Sequence, residues 1–216
     1  SDQPEMLTLA NIPLDIIRII VRTNLGERME NLRLITPVWN RLVLEYFDNL
    51  PSLETVHFNL ELDFLGLAFK KEHLKHFLTA VPNSHRIEEA KCDQTLITKI
   101  IFLDRERCWE DACQTLTRIF QLTNNIGRLA LEGCRDKKML ESVIKNVRNV
   151  RIDGICIFDN CALEICDTVK RMISRHQVLA FHMSSRGILD HGKWGQFIHC
   201  IAEILPVVFL HLSTIL

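Results

Sequence analysis

Hydrophobic positions follow two rhythms along this chain. Up to about residue 50 they recur at helical spacing. Ile16, Ile17, Ile19 and Ile20 come after Ile12-Pro13, and Val38, Trp39, Leu42, Val43 and Tyr46 come after Thr36-Pro37. The first run predicts a helix from Pro13 to Arg22, with the proline in its first turn and Asp15 favourable to its dipole. Its β-branched residues are weak helix formers, so packing must hold it. Gly26 breaks the pattern, a short helix is predicted from Glu30 to Leu34, and Thr36 caps a third helix opened by Pro37. Asp48 to Ser52 reads as a turn and the natural boundary between a helical module, 1–50, and the remainder, 51–216.

Beyond the boundary, short alternating runs exchange with longer helical ones. Thr55 to Leu62 alternates Val56, Phe58, Leu60 and Leu62, which predicts a strand. Lys70 to Ala80 carries Leu74, Phe77 and Leu78 in helical register, Ile87 to Cys92 reads as a strand, and Asp111 to Leu122 as a helix. The apolar-x-apolar tripeptides beginning at Leu129, Val150, Leu179 and Leu210 are then separated by helical patterns over Lys138–Val147, Leu163–Ile173 and Trp194–Leu205.

A strand and a returning helix, repeated at roughly 20–30 residues, is the pattern of a leucine-rich-repeat solenoid, whose units bury their apolar faces only against neighbours. The fold class expected is therefore α/β: a helical module followed by an irregular, leucine-rich-repeat-like α/β solenoid. A non-repetitive α/β domain with right-handed crossovers is the other reading of the same elements. The last strand-like run, Val207 to Leu212, has no polar cap after it, which leads to the expectation of a fragment whose next repeats or helix pack on it. The alternative is that Leu210 to Leu216 pairs inside the sheet.

Composition narrows the function classes. The 216 residues are 47% hydrophobic and 25% charged, with a net charge of −1 and a single tyrosine, Tyr46. That balance gives no electrostatic footprint for nucleic acid or an anionic membrane, and no stacking platform for bases. Phe197 to Leu216 is apolar, but Glu203 alone would cost about 2.5–3.5 kcal/mol at a bilayer centre. The chain opens Ser-Asp-Gln-Pro-Glu, not with a basic-then-apolar leader. The eight cysteines are accordingly expected to be reduced thiols of a cytoplasmic or nuclear protein.

Candidate chemistry is sparse. Cys108/Cys113 and Cys156/Cys161/Cys166 invite a zinc site, but their gaps are at or beyond the knuckle spacing, and packing thiols are the expectation. His199-Cys200 are sequence neighbours that point apart on a helix. No Gly-framed serine, phosphate-cradling glycine loop or His-Glu-x-x-His helix occurs. No enzyme, cofactor or metal is expected.

The N-terminal order resembles an F-box, the docking module of ubiquitin-ligase substrate receptors, over about Leu7 to Asn49. The motif positions are Leu9, Ile12-Pro13, Asp15, Ile16, Ile20, Leu32, Leu34, Val38, Trp39, Asn40 and Leu42. An F-box joined to a divergent repeat region is similar to the expanded F-box families of nematodes. The segment departs from the family in Ile12 before the proline and in Pro37 at a position often basic. The resemblance implies that Leu9, Ile12, Pro13, Ile16, Ile20, Val38 and Trp39 dock a Skp-type adaptor, and through it a cullin, while Leu34 and Leu42 hold the module together. It also implies that the repeat region presents a protein substrate for ubiquitin transfer. The alternative function is a non-ligase module that sequesters or neutralises a partner, its F-box-like helices capping the solenoid.

Overall fold

A computed structural model describes residues 8–23, 29–81, 86–92, 94–101, 108–135, 137–138, 140–141, 150–158, 160–185, 191–205 and 208–212. The chain divides into two compact units, Ser1–Leu50 and Pro51–Leu216.

The first unit holds helices α1 (Leu14–Thr23), α2 (Met29–Leu32) and α3 (Pro37–Asp48). Thr36 caps α3, its hydroxyl accepting from the Trp39 backbone N–H at 3.4 Å, and Pro37 occupies the first turn. Ile17, Val21, Met29, Trp39, Leu42, Val43, Phe47 and Leu50 form a core with Ile12, Ile20, Leu32, Ile35 and Tyr46 against its edge. The buried stripe of α3 is therefore Trp39, Leu42, Val43 and Phe47, turned from the expected row so that Val38 faces outward. Leu34 corrects another expectation. The second helix ends at Leu32, leaving Leu34 in the following turn at 84% exposure, so it does not hold the module together; Ile35 packs inward instead.

The second unit is a mixed α/β structure built on one eight-stranded sheet, ordered β3-β4-β2-β1-β5-β6-β7-β8. The strands are β1 (Leu53–Asn59), β2 (Phe64–Lys70), β3 (Arg86–Cys92), β4 (Thr95–Ile101), β5 (Asn125–Glu132), β6 (Arg151–Phe158), β7 (Ala180–Ser185) and β8 (Val208–Leu212). β1, β5, β6, β7 and β8 run parallel as neighbours, and β2, β4 and β3 extend the sheet antiparallel from β1. Helices α5 (Cys108–Gln121), α6 (Cys166–Arg175) and α7 (His191–Ala202) accompany the parallel half, and the short α4 (Leu74–Leu78) follows β2. Leu116, Ile119 and Phe120 of α5, Val169 and Met172 of α6, and Trp194, Phe197 and Ile201 of α7 pack into one core with the sheet. β8 lies at the end of the strand order, paired with β7.

Two sequence expectations change here. Strand β1 stops at Asn59, and Leu60 and Leu62 belong to the turn into β2, a strand that, like β4, is not among the elements expected from the sequence. The repeat is also in a different register. Leu53/Val56/Phe58, Ile126/Leu129/Leu131, Ile152/Ile155/Ile157 and Val178/Phe181/Met183 all point into the core. In the paired register Val56, Leu129, Ile155, Phe181 and Val208 lie side by side. The first apolar position of each unit thus falls at 126, 152, 178 and 205, steps of 26, 26 and 27 residues. The tripeptide at Leu179 was misleading: Leu179 is 53% exposed, and Phe181 is the inward residue. Two residues, not one, separate the first and second apolar positions, so each strand must twist there to keep both inside. Gly127 sits at this point, where a Cβ would come within 2.7 Å of the Glu54 carbonyl oxygen.

The loops leaving the strand C-termini are stitched by one side chain. Asn160 accepts from the Gly133 backbone N–H at 2.9 Å and donates to the Glu61 carboxylate, joining the loops after β6, β5 and β1. The predicted helix over Lys138–Val147 is helical at 137–138 and 140–141, and 142–149 lies outside the described residues.

Candidate functional site

In the helical unit, α1 carries two apolar stripes. Ile17 and Val21 face the core, and Ile12, Ile16, Ile19 and Ile20 form a second row at i, i+4, i+7 and i+8. Ile16 and Ile19 are 45% and 56% exposed, while Ile12 and Ile20 straddle the boundary. Leu9, Pro13, Leu14 and Val38 are also exposed. Of the residues singled out by the sequence, Leu9, Pro13, Ile16 and Val38 are on the surface, Ile12 and Ile20 are half-buried, and Trp39 is fully buried. The Trp39 indole N–H donates to the Leu9 carbonyl at 2.8 Å, which ties the segment before α1 to α3. Ile19 was missed by motif matching, although its spacing of three from Ile16 places it in the same row. On another side of α1, Arg18, Val21 and Arg22 face Leu42, Glu45, Tyr46 and Asn49 of α3 and its cap across a groove of about 380 Å³.

In the sheet unit, the face opposite the core is lined by the alternate side chains. The row His57, Ala130, Cys156 and His182 crosses β1, β5, β6 and β7 in register. None of these residues belongs to the core cluster, yet Ala130 and Cys156 are only 6% and 8% exposed. Glu132 is buried at its edge. Its Oε2 accepts from the Asn59 amide at 2.7 Å and meets His57 Nε2 at 2.9 Å. Asn59 in turn accepts the Leu62 backbone N–H at 2.8 Å, so the carboxylate and both partners are fixed by the β1–β2 turn. The His57 ring stacks on Phe158, centroids 5.6 Å apart at 12°, and meets Phe64 edge-on at 5.3 Å, with Lys99 Nζ 4.5 Å from the centroid of the Phe64 ring.

This geometry orients His57, and among the described residues no activated nucleophile lies beside it. Cys156, the neighbour of His182, has its thiol pushed up to about 11, chiefly by burial, so it carries its proton at neutral pH. His182 is held below its ordinary value by burial and by Arg128. Cys134 is raised by its hydrogen bond to Cys161 and by burial, and Cys161 Sγ donates to the Leu131 carbonyl at 3.3 Å. Cys113, Cys134, Cys156, Cys161, Cys166 and Cys200 are free thiols, and Cys166 is raised to about 11 by burial. Among the described residues no group of three His, Cys, Asp or Glu could hold a metal ion, and no helix is long and apolar enough to cross a membrane.

Fold and surfaces together define a two-unit α/β protein with an apolar helix row on one unit and a polar-rimmed sheet face on the other. Comparison with protein-family models, with characterised proteins and with solved structures finds no match for the chain.

Proposed function

We propose that the protein is a substrate-recognition adaptor of a Skp–cullin–F-box ubiquitin ligase. The helical unit docks a Skp-type subunit, and the sheet unit, a divergent leucine-rich-repeat-like solenoid, presents a protein substrate. The observation that carries this reading is the second stripe of α1. A unit this small already has a core around Trp39, and still leaves Ile16 and Ile19 exposed in one row with Leu9 and Pro13 beside them. Contiguous apolar exposure on a folded module is the property of a docking face. Ile12, Ile16, Ile19, Ile20, Leu9, Pro13 and Val38 are assigned to contact, and Trp39 to support them from beneath.

The sheet unit supports the second half through its period. Apolar-x-x-apolar-x-apolar, recurring every 26 or 27 residues with Cys134 and Asn160 three positions after the last apolar residue, matches the leucine-rich-repeat strand and its Cys/Asn position. Co-expression with a Skp-type adaptor tests the proposal. Wild type should co-purify with it, and Ile16→Asp with Ile19→Asp should not, because a docking anchor is typically worth at least about 2 kcal/mol. Failure of every such adaptor to associate would remove the ligase reading and leave a module that sequesters a partner.

A further inference from the structure

We infer that Cys134 and Cys161 are a peroxide-sensitive dithiol, which closes into a disulfide clasping the loops after β5 and β6. The inference stands apart from the ligase reading and concerns the core side of the sheet.

Geometry brings the two thiols together. β5 and β6 are parallel neighbours with Leu131 opposite Ile157, and the two loops leave the sheet just past that pair. The Ala162 N–H donates to the Cys134 carbonyl at 2.9 Å, and Asn160 accepts the Gly133 N–H at 2.9 Å, so the loops stay side by side. Neighbouring strands run about 4.8 Å apart, inside the roughly 4.4–6.8 Å between Cα atoms that a disulfide spans. Both side chains enter the same buried cluster, and the Cys134 thiol hydrogen-bonds to the Cys161 sulfur. Both are free thiols.

The two sulfurs are unequal. The hydrogen bond from Cys134 holds Cys161 below the ordinary thiol value, against burial and with help from backbone groups of Cys134, Phe158 and Gly133. Cys134 is raised by the same bond and by burial. Cys161 is therefore the attacking sulfur and Cys134 the resolving one. Burial pushes Cys156 and Cys166 up to about 11, which leaves both protonated and slow to react.

Burial selects the oxidant. Cys134 and Cys161 are 0% and 1% exposed, so a bulky disulfide such as oxidised glutathione cannot align with either sulfur. Their chain neighbours Asn160, Ala162 and Arg135 reach the surface, and local opening of these loops admits hydrogen peroxide. The Cys161 thiolate attacks one peroxide oxygen, the O–O bond breaks, and hydroxide leaves a sulfenic acid behind. Cys134 then attacks Cys161 Sγ, the S–O bond breaks, and the departing hydroxide takes the Cys134 proton as water. Two thiols and one peroxide become one disulfide and two waters, the sulfur pair giving up the two electrons that the peroxide gains.

The test treats the full, reduced chain with hydrogen peroxide, quenches it with an alkylating agent and maps the unreduced peptides by mass spectrometry. The Cys134–Cys161 crosslink should exceed every other crosslink at least about tenfold and disappear on reduction with dithiothreitol. The oxidised chain should also show a higher urea midpoint, because the bond closes a loop that the unfolded chain must keep. Cys134→Ser should block the crosslink and leave Cys161 as a sulfenic acid that dimedone captures. Cys113, which also lies near Cys134, is the competing thiol, and Cys113→Ser should leave the crosslink intact. Circular dichroism checks that the variants fold, and the wild-type map decides alone if one does not. A bond from Cys134 to Cys113, or a wild-type chain whose Cys134 and Cys161 end as unlinked thiols or sulfinic acids, would overturn the inference.

Discussion

The indole N–H of Trp39 donates to the carbonyl oxygen of Leu9 at 2.8 Å across thirty residues of sequence. This one bond closes the entry segment over the start of α3 and turns the Leu9 side chain to solvent, while the indole ring fills the centre of the helical core. A residue expected to reach a partner instead organises the surface that could.

Trp39 and the α1 row should therefore separate in mutagenesis. Trp39→Ala should destabilise the helical unit by about 3–5 kcal/mol, the range for emptying an aromatic core position. Ile16→Asp with Ile19→Asp should change its stability by no more than about 0.5 kcal/mol per site, since both side chains are exposed. Thermal melts of the two variants followed by circular dichroism distinguish them. A marked loss of stability in the isoleucine variant would mean that the row is part of the fold.

Glu132→Ala should destabilise the sheet unit by more than Glu132→Gln. Alanine leaves the buried Asn59 amide and the His57 N–H without their acceptor, at about 1–3 kcal/mol each, whereas glutamine retains an oxygen. Urea midpoints give the order. Equal midpoints would show that the carboxylate contributes nothing through these bonds.

His176 should make stability depend on pH. It is buried, its Nδ1–H donates to the Val150 carbonyl at 2.7 Å, and Nε2 has no partner among the described residues. Burial, and secondarily Arg175, depress its protonation below the ordinary value near 6.5, against the raising effect of the Val150 bond. The unfolded chain therefore binds the proton first as pH falls. The contribution is fully present above pH 6.5 and is lost as pH drops towards the lower folded value. His176→Phe should lessen the fall in the urea midpoint between pH 7.5 and pH 5.5. An unchanged fall would assign the dependence to other groups.

Gly133→Ala should cost more than Gly154→Ala. Gly133 has φ +68°, and a Cβ there would sit 2.8 Å from the Glu61 backbone nitrogen in the loop that Asn160 stitches. At Gly154 the nearest atom is 3.6 Å away, ordinary contact. A loss of at least about 1 kcal/mol is expected at Gly133 alone. Chemical denaturation of both variants checks the contrast.

Local chemistry was legible in the sequence wherever one element determined its own outcome. Thr36-Pro37 opens α3, and Trp194, Phe197, Ile201 and Leu205 form the buried stripe along α7 and its end, because capping and a 3.6-residue period act within a few turns. The turn around Leu50 lies where the two compact units divide. Tertiary structure alone decided which of several apolar neighbours faces inward. Leu34 and Leu179 look like core residues by composition, but a helix end and a strand register leave both exposed. The 26-residue repeat was hidden because any apolar-x-apolar run satisfies a period of two, and only pairing across strands selects Leu129, Ile155 and Phe181 as equivalents. His57 and Glu132 lie 75 residues apart, and their contact exists because β1 and β5 are parallel neighbours despite the antiparallel strands inserted between them. Nothing local to either residue specifies that adjacency. It comes from the closing of one sheet over one core.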